Sequence, residues 1–211
     1  MFNKEIIIEP ATTQDADVAA KLTFMAYHKY SYDVLGKIGE QKATERYKLL
    51  WMHGDNRFGH YHSYIAKIDG QVAGMMTCYA APLIKKLVKP TLFELVRMGG
   101  VSFILHLLLN LSNFYYFARN HDVTSDEFYI ATLAVVPEYR RYGVGTNLLK
   151  HAINLAKNEQ LRFCSLHVSA ENEKAINFYE GNGFVKTKPL TNTSTPPTFY
   201  RMVHTLNYVI T

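Results

Sequence analysis

A mixed α/β fold in one domain spanning residues 1–211 is what this sequence predicts, and three observations carry the prediction. Strand-like and helix-like patterns alternate along the chain, an Asp-Gly pair separates two β-rich runs, and one apolar strand passes through a glycine-containing loop into an amphipathic helix. The length suits a single core, and 48% hydrophobic against 19% charged residues excludes a disordered polyelectrolyte. Lys and Arg outnumber Asp and Glu by 23 to 18, a net +5 that fits a phosphate-bearing ligand but is too small a surplus to imply a nucleic-acid partner. Cys78 and Cys164 stand far apart with no C-x-x-C or Cys/His spacing, so buried free thiols are expected and a metal is not. Ile6, Ile7 and Ile8 are closed off by Glu9 and Pro10, too short an apolar run for a signal-peptide core, which predicts a cytoplasmic protein.

The elements follow in order. The three isoleucines are β-branched and predict a first strand; Thr12 and Thr13 as caps, with Asp15 and Asp17 after them, predict a helix over residues 13–30. Glu40, Ala43, Tyr47, Leu50 and Trp51 fall at helical spacing before the stop at Gly54-Asp55-Asn56-Arg57, so a second helix covers about residues 39–52. Residues 64–68 and 71–79 around Asp69-Gly70 read as a hairpin with a type I′ turn. Residues 127–136 form the next strand, ending at Pro137, and Leu148, Ala152, Leu155 and Ala156 then share one helix face. A strand over 162–168, a short helix over about 172–182 ending at Gly183, and two closing strands at 184–188 and 199–207 around a polar loop complete the chain.

Residues 81–126 form an insertion between the third and fourth strands. It holds Pro82, a basic patch of Lys85, Lys86 and Lys89, then Pro90. Leu92, Phe93, Leu95, Val96 and Met98 make a short apolar helix face, Gly99-Gly100 is expected to break it, and residues 101–118 are almost continuously apolar. The length approaches that of a membrane span, but His106, Asn110 and Asn113 recur at i, i+4, i+7, and burying such a polar stripe in lipid is costly. A soluble helical insertion is therefore expected, the alternative being contact with a membrane surface through residues 85–118 aided by the lysines.

The chemistry concentrates in Leu133-Ala134-Val135-Val136-Pro137-Glu138-Tyr139-Arg140-Arg141-Tyr142-Gly143-Val144-Gly145-Thr146. Glycines at a helix entry let phosphate oxygens approach unpaired N–H groups and the positive end of the macrodipole, and two arginines add charge. A P-loop fails for want of its lysine, and a dinucleotide fold fails because Leu148 stands where the third glycine belongs. The spacing Arg140-x-x-Gly143-x-Gly145 after Leu133-Ala134-Val135-x-Pro137 instead resembles the pyrophosphate-binding motif of the GNAT superfamily of acyl-coenzyme A-dependent N-acyltransferases. Downstream, Asn172-x-x-Ala175-x-x-Phe178-Tyr179 followed by Gly183-Phe184 is similar to that family's pattern, and the close match covers about residues 128–185.

The resemblance implies a mostly antiparallel central sheet of about 6–7 strands, flanked by helices and splayed between the motif strand and the strand carrying His167, with acetyl-coenzyme A as donor in the gap. It implies main-chain pairing of Leu133, Ala134 and Val135 with the pantetheine arm. The loop of Arg140, Arg141, Tyr142, Gly143, Val144, Gly145 and Thr146 would hold the pyrophosphate, and Asn172 would join the cofactor contacts. Tyr179 takes the family's role of general acid toward the leaving thiolate, and an N–H near Val135 polarises the carbonyl. His167 is the candidate base, a packed strand histidine being the plainer alternative; Glu127 and Tyr129 compete for the task. The implied reaction is direct attack by a primary amine in a ternary complex, the acceptor a small molecule or a peptide. No residue order suggests an acyl-enzyme. A non-catalytic acyl-coenzyme A-binding module is the rival reading. The insertion is expected to fold over the acceptor end of the sheet, and a homodimer through its apolar surface is a further expectation.

Overall fold

The computed structural model describes residues 5–110, 123–187 and 199–207. Its seven strands are β1 (Ile6–Pro10), β2 (Ser63–Ile68), β3 (Gln71–Ala80), β4 (Glu127–Val135), β5 (Phe163–Ser169), β6 (Val185–Lys186) and β7 (Phe199–Thr205). They form one sheet in the order β1-β2-β3-β4-β5-β7-β6. Every neighbouring pair is antiparallel except β4 and β5. The β2–β3 hairpin turns on Asp69 at φ 50° and Gly70 at φ 75°, both positive as a type I′ turn demands.

Among the described residues six helices flank the sheet: α1 (Ala16–Tyr27), α2 (Ser31–Leu35), α3 (Glu40–Met52), α4 (Ala81–Leu109), α5 (Val144–Asn158) and α6 (Glu173–Gly181). The expected helix over residues 13–30 is divided. Thr12 and Asp15 close a capping box on a 3-10 turn, α1 follows, and it ends at His28, whose φ of 42° takes the chain out of helical geometry before α2 begins. On one face of the sheet, Leu148, Leu149, Ala152 and Ala156 of α5 pack over Phe128, Ile130, Cys164 and Leu166. On the other, Ala16, Ala19 and Leu22 of α1 and Trp51 of α3 cover Ile65, Met75 and Ala134. Both cysteines are buried free thiols, and burial pushes that of Cys164 up to about 12.

The insertion is helical as expected: over its described residues to 110 it forms α4, beginning immediately after β3 with Pro82 in its first turn, where a missing N–H is harmless. Pro90 does not end it; one turn is reinforced instead by Thr91 Oγ1 donating to Leu87 O at 2.6 Å. The expected break falls at Gly100, at φ 56° and ψ −148°, where two helical stretches meet across a kink. A Cβ at Gly99 would collide with the Phe103 side chain folded back over it. Leu95 and Phe103 join Leu35, Tyr47 and Leu50 in a core shared with α2 and α3. Of the polar stripe, the two described members are half-buried against the protein: His106 Nε2 lies 3.2 Å from the Asp33 carbonyl beneath Gly36, and Asn110 Nδ2 donates to His106 O at 2.9 Å. Asn113 and the loop at 191–197 lie outside the described residues.

Candidate functional site

The ladder between β4 and β5 runs from Glu127↔Phe163 to Ile130↔Leu166 and stops, although both strands continue. A bulge lies at the same place. The β3 register passes from Thr77↔Thr132 to Cys78↔Ile130, leaving Ala131 as the extra residue on β4. Phe128 and Ile130 before the bulge, and Leu133 and Val135 after it, therefore share the α5 side, while Tyr129, Ala131 and Ala134 belong to the opposite side. Tyr27 Oη donates to the Ala131 carbonyl at 3.2 Å, pinning the bulge to α1.

Beyond β4, a 3-10 turn at Pro137–Tyr139 leads to Arg140, Arg141 and Tyr142, all exposed. Arg141 at φ 67° and Gly143 at φ 84° turn the chain into α5, whose cap Gly143 has no side chain to offer. The N–H groups of Val144, Gly145 and Thr146 therefore open the helix uncapped, at the positive end of a fifteen-residue macrodipole. Two other glycines hold this terminus close. A Cβ at Gly145 would stand 2.9 Å from the Phe178 ring, and one at Gly74 of β3 would stand 2.9 Å from both Ala134 O and Val144 Cγ1. Gly74 carries no loop motif and went unremarked in the sequence; its reason is the approach of a helix distant in sequence. Arg140 Nη2 reaches 3.6 Å from Met25 Sδ across the mouth of the gap.

On the α1 side, Tyr129 and His167 are brought together: the phenol oxygen and Nδ1 are 3.0 Å apart across the end of the β4–β5 ladder. Tyr79 flanks Tyr129 with ring centroids 6.2 Å apart, and Ile84 and Leu87 of α4 cover both rings. The first half of α4 thus walls this side; the second half turns away onto α2. Arg57, only 5% exposed, lies among these phenols. Burial opposes its charge, and the phenols of Tyr79, Tyr129 and Tyr27 outweigh that effect and raise its pKa. Farther along, the Tyr30 ring stands 4.5 Å from that of Phe199, and its hydroxyl is 3.3 Å from Ser169 Oγ, linking the α1–α2 connection to β5 and β7. Tyr30, Arg57 and Phe199 were not singled out in the sequence, where the only signal was a general richness in aromatics.

Glu127 is fully buried; its Oε1 accepts from Thr124 N at 2.8 Å, Thr124 Oγ1 at 2.6 Å and Arg201 Nη2, which commits this oxygen to fastening β4 to β7, while Oε2 is buried without a hydrogen-bond partner among the described residues. Tyr179 lies on the α5 side between Phe178 and Phe184, and burial pushes its phenol up to about 12. Asn172 caps α6, its Oδ1 accepting from Ala175 N at 3.1 Å. Among the described residues, no group of three His, Cys, Asp or Glu side chains is arranged to hold a metal.

The family model described as "Acetyltransferase (GNAT) family" matches residues 30–184. N-alpha-acetyltransferase 50 of Danio rerio is 39% identical over 72 residues, 33% of this chain and 43% of that protein. The match spans less than half the length of such curated relatives. An N-acetyltransferase structure from Staphylococcus aureus Mu50 superposes with a TM-score of 0.70 at 20% identity, covering 93% of this chain and 99% of its own. The PaiA N-acetyltransferase of Thermoplasma acidophilum, solved in complex with coenzyme A, gives 0.54 at 14% identity, covering 95% and 99%.

Proposed function

The chain belongs to the acetyltransferase (GNAT) family, and from that premise we propose that it moves an acetyl group from acetyl-coenzyme A to a primary amine, the α-amine of a peptide. The observation that carries this reading is the Tyr129–His167 hydrogen bond, which sets a proton acceptor where the two central strands part. The α-amine is supported by the likeness to N-alpha-acetyltransferase 50.

The residues fit the donor. Uncapped amides at Val144, Gly145 and Thr146, beside Arg140 and Arg141, match a pyrophosphate, and the unladdered edge of β4 at residues 131–135 matches an extended amide-bearing arm. Bound there, acetyl-coenzyme A supplies the acyl group as a thioester reactive toward amines. On the opposite side of the gap, the Tyr129 hydroxyl and His167 Nδ1 lie 3.0 Å apart; with the imidazole in the tautomer that leaves Nδ1 bare, the phenol would donate to it, and the phenol oxygen would accept a proton from the incoming ammonium as its own passes to the imidazole. Burial pushes the Tyr179 phenol up to about 12, so it is protonated near neutrality and would be the group that offers its proton to the departing thiolate as general acid.

The test is thiol release from acetyl-coenzyme A with peptides bearing free or blocked N-termini. Release is expected only with the free amine. Tyr129→Phe and His167→Ala should each lower kcat by about 100-fold or more while calorimetric donor affinity holds. Gly143→Asp should abolish donor binding. Donor binding without amine-dependent release across the panel would overturn the reading in favour of a binding module.

A further inference from the structure

Val101, Ile104, Leu105, Leu108 and Leu109 follow the Gly100 kink at i, i+3, i+4, i+7, i+8, and are 82, 41, 55, 66 and 76% exposed. That spacing is one face of a helix, and every member is aliphatic. The opposite face, through Phe103 and His106, is what packs against the protein. Before the kink, Lys85, Lys86 and Lys89 are exposed, and no described carboxylate lies within 4 Å of their ammonium groups. Phe93, at i+4 from Lys89, is 66% exposed on the same face. The one acid of this half, Glu94, is already matched by Arg97 at 2.7 Å.

We propose that α4 beds the protein on the anionic surface of a lipid bilayer, with the five aliphatic side chains entering the acyl boundary and Lys85, Lys86 and Lys89 meeting headgroup phosphates. Two observations select this occupant. By length and composition α4 could cross a bilayer, but Leu95 before the kink and Phe103 after it are both buried in the core shared with α2 and α3, so the helix is held along the protein with its outer face free. An unmatched basic run beside an aliphatic face is complementary to acidic lipid.

The experiment is co-sedimentation of the full chain with phosphatidylcholine vesicles with and without phosphatidylglycerol. Binding is expected only with phosphatidylglycerol, weakening as salt rises. Lys85→Ala, Lys86→Ala and Lys89→Ala together should lower partitioning about 100-fold, near fivefold per lysine. Leu105→Glu with Leu108→Glu should abolish it, with thiol-release activity unchanged in both variants. Because the charged pair could disturb folding, Leu105→Trp provides a second readout: its emission should shift to the blue on adding phosphatidylglycerol vesicles. No binding to either vesicle, equal binding to both, an unshifted emission from the Leu105→Trp variant, or a solution dimer dissolved by the glutamate pair would each overturn the proposal, the last in favour of a second copy.

Discussion

Gly143 and Gly145 stand two residues apart, the first at the cap of α5 and the second in its first turn, and each must be glycine for a different reason. At Gly143 the backbone is left-handed while a Cβ would meet only Asn147 Nδ2 at 3.6 Å, so Gly143→Ala should cost about 1–2 kcal/mol of conformational strain and little packing. At Gly145 the obstacle is the Phe178 ring 2.9 Å away. Gly145→Ala should therefore separate α5 from α6, lowering stability by about 1–3 kcal/mol and raising KM for the donor, and adding Phe178→Leu should restore much of both. Thermal melts and donor titration on the single and double variants check this. At the Tyr129–His167 pair, the effects of Tyr129→Phe and His167→Ala on kcat should be far from additive, because either change breaks the same relay; a double variant as slow as the product of the two singles would separate them.

Among the elements, β4 is secured at its start by chemistry and at its middle by geometry. Glu127, wholly buried, is tied to Arg201 of β7 and to Thr124, and Glu127→Ala would strand the guanidinium. A loss of about 3–5 kcal/mol is expected in denaturant melts, with kcat of the protein that remains folded unchanged, since the bonds of the carboxylate serve the joint between β4 and β7. The hairpin, the motif loop and the threonine cap ahead of α1 were legible because their determinants are local: Asp69-Gly70, Arg140-x-x-Gly143-x-Gly145 and Thr12 each specify geometry within a few residues. The Ala131 bulge, the close approach at Gly74 and the Tyr30–Phe199 contact were not, because each is decided by a partner far along the chain. Pro90 shows the same limit from the other direction. It reads as a helix end, yet the packing of Leu87 and Leu95 on either side keeps the helix running through it.

For the molecule as a whole, buried and half-buried titratable groups set the pH window of stability, among them two histidines on the acid side and Tyr179 with Cys164 on the alkaline side. His151 and His62 are both pulled below the usual histidine range by burial, an effect Asp55 partly offsets at His62. In the unfolded chain they take up protons more readily, so the stability they contribute is present above about pH 6.5 and is lost as the pH falls through their folded values. Tyr179 acts oppositely: raised to about 12 from an ordinary 10, it contributes stability that is complete below pH 10 and lost as the pH climbs through 12. Tm should hold near neutrality and decline on both sides, and His151→Phe, which keeps the ring against Tyr64, should flatten the acid side alone.

The interrupted β4–β5 ladder has a thermodynamic consequence. In most sheets the rim frays first and the centre exchanges its amide protons last, but here two strand edges lie open in the middle, with four strands on one flank and three on the other. A donor that pairs with β4 would act as a keystone between these flanks and add RT ln(1 + [L]/Kd) to the folding free energy, about 2.7 kcal/mol at a hundredfold excess over Kd. The lifetime of the polypeptide would then follow the supply of its acyl donor, long-lived when charged coenzyme is plentiful and prone to opening from within when it runs short.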